Sequence, residues 1–261
     1  MILKMTLQGG LIYLTLTLFV AAAAALRVGR RAVGRGFWFT GFAVAVLSVV
    51  WRGIHTGHPP MQNLFEFFLC MAAALWPLSQ WSRRRHGLDT AMQDALLGAL
   101  ILFPAGFVFG EEVRRLPPAL QSPLFVPHVA SYVAGYVMLA RAALIALPML
   151  RAPADEARVR QADAASRQTA VAGFLLLTLG LLLGSLWGKI CWGHYWQWDP
   201  KEMWSLATWL MYGGYFHYRL KNGLGNPKAL AVLLWVGLLF IVLTLTWINV
   251  SRLFAGMHNY A

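Results

Sequence analysis

The groups in this chain that could do chemistry are a cluster of tryptophans, a few histidines and two charged residues set in apolar sequence. Residues 187–209 read WGKICWGHYWQWDPKEMWSLATW and hold six of the twelve Trp: Trp187, Trp192, Trp196, Trp198, Trp204 and Trp209. Asp199, Lys201 and Glu202 lie in their midst. His128 follows PLFVP, and His258 sits in GMHNY near the end of the sequence. Imidazole nitrogens are common iron ligands, and a large planar ligand needs flat apolar walls. Histidine beside a bank of indoles therefore points to haem. An aromatic belt is the alternative, because Trp favours membrane interfaces. A belt spreads over all helix ends, whereas half of these Trp sit in one segment. Trp192 and Trp196 are spaced i, i+4, as on one face of a short helix lying on the membrane surface. Pro200 would end or restart that helix.

Two further residues lie deep in apolar runs. His217 is about fourteen residues from the outer end of its run, roughly 21 Å down at 1.5 Å per residue. Arg141 lies thirteen residues into another run, at about 20 Å. Ionisable groups at such depth are costly unless paired. For His217 the readings are a functional ligand or an interhelical hydrogen bond. For Arg141 they are an anion partner at the depth of His217 or snorkelling to the headgroups. Glu66 opens an apolar run near the outer face and reads as interfacial or functional. Cys70 and Cys191 read as small apolar fillers. The chain has no CxxCH, CxxC pair, phosphate loop or HExxH, which excludes a c-type cytochrome and the common zinc and nucleotide motifs.

The elements that must position these groups are membrane helices. The chain of 261 residues is 59% hydrophobic and 12% charged, which excludes an ordinary soluble domain and a disordered one. Runs near the length of a membrane helix fall at about 9–26, 37–51, 64–81, 95–110, 128–150, 170–188, 203–220 and 229–250. The expected fold is all-α: one integral-membrane domain, 1–261, of about eight transmembrane helices. The net charge is +12. Loops 27–36, 82–94, 151–169 and 219–228 carry fourteen basic residues, the opposite set seven. The positive-inside rule places the first set in the cytoplasm and both termini outside. A cleaved leader at the first run would leave four Arg outside, so a retained helix is expected.

The segment WGHYWQWDPKEMWSLATWLMY resembles the tryptophan-rich WWD signature of the haem-handling proteins of cytochrome c maturation. Within them the chain is most similar to the CcsA (ResC) family. HPPMQNLFEFFL (58–69), PHVASYVAGYVML (127–139), YFHYRL (215–220) and NVSRLFAGMHNYA (249–261) resemble further family segments. The related CcmC family has fewer spans and CcmF is far longer. HemX-type relatives share the fold.

The resemblance implies the following. His128 and His258 match the outer axial ligands of a haem b. Trp192, Gly193, Trp196, Trp198, Asp199, Glu202 and Trp204 match the segment that holds it. His217 matches an inner-site ligand whose opposite comes from the partner CcsB (ResB). Apocytochrome c is the implied substrate, and the activity a haem lyase working with CcsB in a bacterial cytoplasmic membrane, its active face toward the periplasm. A haem exporter or chaperone, or a HemX-like regulator without lyase activity, stands as the alternative. A di-haem electron-transfer subunit fits poorly, because only His217 lies deep in a span.

Overall fold

The computed structural model describes residues 3–150 and 155–247. These residues form eight α-helices and no strand: α1 Leu7–Arg27, α2 Arg31–Thr56, α3 Leu64–His86, α4 Ala91–Phe107, α5 Phe125–Ile145, α6 Glu156–Trp192, α7 Pro200–Asn222 and α8 Pro227–Val242. Within the described residues, each of the eight apolar runs overlaps one of them, the fifth run passing from α5 into a short 3-10 turn at Leu147–Leu150. α8 passes into a wider, π-type turn over Leu243–Trp247. Six helices (all but α4 and α7) are long and apolar enough to cross a membrane, and the chain is a multi-pass membrane protein. α4, at 17 residues, spans only about 25 Å. α7 has the length but carries Lys201, Glu202, His217, Arg219 and Lys221.

Two helices outrun their expected limits by more than ten residues. α2 covers 26 residues where 37–51 was expected. α6 covers 37 residues, about 55 Å, against 170–188. Asp155 caps its start by accepting from Ala157 N. Its first turns are rich in Ala, Arg, Glu and Gln, good helix formers that need no lipid.

The chain divides into two compact units, residues 1–121 and 122–261. In the first, Phe19 is fully buried and wedges between Gly41 of α2 and Gly98 of α4; a Cβ at either glycine would come within 2.7 Å of its ring. Trp38 tilts against the same ring at 4.8 Å. At the other end of α2, Arg52 is 2% exposed. It donates from Nε to Glu66 at 2.9 Å and from its two Nη to the carbonyls of Glu111 (2.7 Å) and Glu112 (2.9 Å). The other Glu66 oxygen accepts from Gln62 N at 2.9 Å. Glu66 is thus a buried ion-pair partner, not an interfacial carboxylate. Breaking such a pair on one side costs about 3–5 kcal/mol, so the pair ties α2, α3 and the chain after α4 together.

In the second unit, α5 is buried almost throughout from Ser131 to Ile145. It meets α6 through glycines: a Cβ on Gly173 would lie 3.1 Å from the Gly135 carbonyl and 2.7 Å from Leu139. Small residues let membrane helices approach where no hydrophobic drive separates protein from lipid. Tyr212 of α7 seats against Gly237 of α8 in the same way. At the other end of α6, Arg219 of α7 grips Asp163 with both Nη, one bond measuring 2.6 Å.

Candidate functional site

The site is built where α5 starts and α6 ends. His128 lies in the first turn of α5, where Pro127 needs no N–H partner. Its Nδ1 is 2.9 Å from the carbonyl of Gly180 on α6. Its ring lies edge-on to Tyr132 at 5.2 Å and tilted against Trp187 at 5.7 Å. Trp187 is buried, and Trp192 tilts against it at 5.0 Å. His128, Trp187 and Trp192 therefore form one continuous aromatic run.

The short surface helix expected from Trp192 and Trp196 is not formed, while Pro200 does start a helix, as expected. α6 runs on to Trp192 and stops at Gly193, whose φ of +83° is a left-handed cap suited to glycine. Residues 193–199 are irregular, and α7 restarts at Pro200. The physical reason is a capping box: Asp199 and Glu202 each bond the other's backbone N–H, which fixes the helix start at Pro200. One oxygen of Glu202 accepts from Gln197 N (2.8 Å) and from Asp199 N (3.2 Å). Between those two amides sits Trp198, a bulky residue at φ +58° and 67% exposed. Trp196 packs edge-on against Trp198 at 5.9 Å. Its buried Nε1 has no hydrogen-bond partner among the described residues. Trp204 faces Phe240 of α8 at 5.9 Å. Just outside the expected span 203–220, burial pushes the Lys201 ammonium down to about 8, opposed by the Asp199 carboxylate.

A profile for the family described as cytochrome C assembly protein matches residues 61–258. This chain belongs to that family. Cytochrome c biogenesis protein CcsA of Parasynechococcus marenigrum (strain WH8102) is 31% identical, over 82% of this chain and 81% of that protein. Its namesake in Synechococcus sp. (strain CC9902) is 32% identical over 82% and 81%. The one in Welwitschia mirabilis is 29% identical over 87% and 86%.

The remaining candidates of this cytochrome c assembly protein stand apart from the aromatic run. His217 is exposed on α7, and Gly213 and Gly214 before it face open space. Arg141 is fully enclosed in α5, with Nη1 3.8 Å from Met138 Sδ, an environment unlike that of a side chain reaching for headgroups. His258 lies outside the described residues. Sequence reasoning missed Gly180 and Gly184. Their four-residue spacing, continued at Gly188, was the available signal for close helix approach. It also missed Tyr132 and Tyr136 of α5: the Tyr132 ring lies edge-on to His128, and Tyr136 tilts against Tyr132 at 5.3 Å.

Proposed function

We propose that this family member carries haem b to the outer face of a bacterial cytoplasmic membrane and presents it for attachment to apocytochrome c, together with a CcsB (ResB)-type partner. One observation carries the reading: His128 is held by the Gly180 carbonyl and walled by Tyr132 and Trp187. A carbonyl only accepts, so Nδ1 carries the proton and Nε2 the lone pair that iron needs. The donor set suits haem in other ways as well. Trp187, Trp192, Trp196 and Trp198 offer flat apolar walls, and the buried Trp196 Nε1 is a donor for a polar edge.

His128 and His258 would hold the iron from its two sides. The Trp segment would exclude water and orient the vinyl groups toward the periplasm. Each thiol of the apocytochrome CxxCH adds across one vinyl C=C: a C–S bond forms, and the thiol hydrogen ends on the other vinyl carbon. The addition balances without an external oxidant or reductant. The apocytochrome histidine then replaces one axial imidazole. The protein's part is positioning, which can lower a barrier by several kcal/mol. Gly193, Asp199 and Glu202 shape the loop, and Trp204 fixes it to α8. An exposed His217 suits an inner site completed by an imidazole from the partner. Arg141 is assigned a propionate of that inner haem, and Arg141→Leu should empty the inner site; unchanged inner-site haem would remove this role.

The deciding experiment is cytochrome c assembly in a host lacking its own maturation system, with this chain, its CcsB partner and a CxxCH reporter. Haem stain on the reporter should appear with the wild type and vanish with His128→Ala plus His258→Ala. Haem bound to the purified complex without attachment would turn the reading to an exporter or chaperone. Normal assembly in the double variant would turn it to a regulator acting through protein contacts.

A further inference from the structure

We propose that Gly180 and Gly184 form a shelf on α6 that sets both the orientation and the tautomer of His128, and so act as positioning residues for iron ligation. The inference rests on His128 being a haem ligand, as proposed above. A Cβ built on Gly184 would lie 2.6 Å from His128 Cε1, 2.9 Å from Nδ1 and 3.6 Å from Nε2. The first two distances are far inside contact. The imidazole thus lies directly on bare helix backbone, with its Cε1–Nδ1 edge inward. No other residue type at 184 leaves that position open.

The same absence of a side chain exposes the carbonyl of Gly180. Helical Cβ atoms lean toward the N-terminus, so a side chain at 184 would overhang the carbonyl one turn earlier. That carbonyl lies 2.9 Å from His128 Nδ1. Its second lone pair is available beside the ordinary helix bond. The shelf therefore does two things. It stops the ring from rotating, and it selects the Nδ1–H form with the lone pair on Nε2. Tyr132 closes the adjoining side, lying across Gly180 so that a Cβ there would meet its ring at 2.8 Å. Donation of Nδ1–H to a backbone carbonyl also raises the basicity of a ligating imidazole, which favours the ferric state.

Gly173 supplies the contrast. A Cβ there would clash with Leu139 at 2.7 Å, on the same pair of helices but away from His128. Gly184→Ala and Gly173→Ala should both strain the α5–α6 contact, and only Gly184→Ala should disturb the imidazole.

The test uses the full chain purified with its partner and bound haem. In Gly184→Ala, the outer-site spectrum should pass from six-coordinate low-spin toward high-spin, its midpoint potential should rise, and added imidazole should restore the low-spin form. Gly173→Ala should keep the wild-type spectrum in whatever protein accumulates. Equal spectral changes in both variants would reduce the shelf to general packing and overturn the proposal. A wild-type spectrum and potential in Gly184→Ala, with the signature lost in His128→Ala, would overturn the shelf and leave the ligand reading standing. An unchanged spectrum in His128→Ala would sink the ligand reading and the shelf with it. A second measurement needs neither haem nor a glycine variant. In the haem-free protein with 15N-labelled histidine, the signals lost in His128→Ala should be those of a neutral ring protonated at Nδ1. A ring protonated at Nε2 would refute the shelf.

Discussion

Removing the Glu202 carboxylate should release the backbone on both sides of Trp198. One carboxylate oxygen holds the amides on either side of Trp198, and Trp198 sits at φ +58°. A left-handed conformation costs a non-glycine residue about 1–2 kcal/mol. A hydrogen bond to a charged acceptor returns about 1.5–3 kcal/mol, so two of them outweigh the strain. In Glu202→Ala nothing opposes the strain. At RT ≈ 0.59 kcal/mol, a 1–2 kcal/mol deficit leaves the observed loop conformer at about 3–15%. If attachment requires Trp198 as placed, haem stain on a CxxCH reporter should fall roughly 6- to 30-fold. Gln at 202 keeps an acceptor of about half the strength, which nearly balances the strain and should give an intermediate yield. Limited chymotrypsin digestion of the 193–199 loop should follow the same order: wild type most protected, then Gln, then Ala. Wild-type yield and protection in Glu202→Ala would refute the reasoning. So would equal damage from Gln and Ala, which would mean that the charge rather than the loop hold is what matters.

Three other outcomes are expected. Arg52→Met strands the Glu66 carboxylate and should cost about 3–5 kcal/mol, read as a lower Tm in detergent; Arg52→Met with Glu66→Met should recover most of it. Gly98→Ala drives a methyl into the Phe19 ring and should cost about 1–3 kcal/mol, with Phe19→Leu restoring part of the loss in the same thermal assay. Asp163→Asn weakens the two-bond grip of Arg219, which is largely shielded from water; a Tm drop that persists in high salt checks that the pair is desolvated.

Six of the helices were legible because each carries a run of apolar side chains matched to lipid, and α4 and α7 because shorter or more broken apolar runs still mark a helix. That rule reads only the part of a helix that lipid touches. It therefore stopped at residue 170, whereas α6 begins at Glu156 on residues that are good helix formers but polar. The partner of Glu66 was not legible, because Arg52 belongs to another helix and no periodicity links the two. In the Trp segment, the i, i+4 spacing of Trp192 and Trp196 suggested a helix that Gly193 and the Asp199–Glu202 capping box break. Those breakers are local signals and were present in the sequence. The glycines under His128 were equally visible, but their purpose shows only when the ring is seen lying on them.

His128 and His217, the two histidines of the described residues to which the proposed function gives haem, are held in opposite ways. His128 is tied to a backbone carbonyl and enclosed by aromatic rings. If it ligates haem as proposed, its geometry is set before the ligand arrives, so little ordering entropy is lost on binding. His217 stands exposed beside two open glycines, with no such shelf to fix its ring. An imidazole so placed binds a planar ligand firmly only when a second body closes over it. Loss of the partner should therefore empty the His217 site first and the His128 site last, and successive removal of CcsB from the purified complex, followed by haem spectra, measures that order directly.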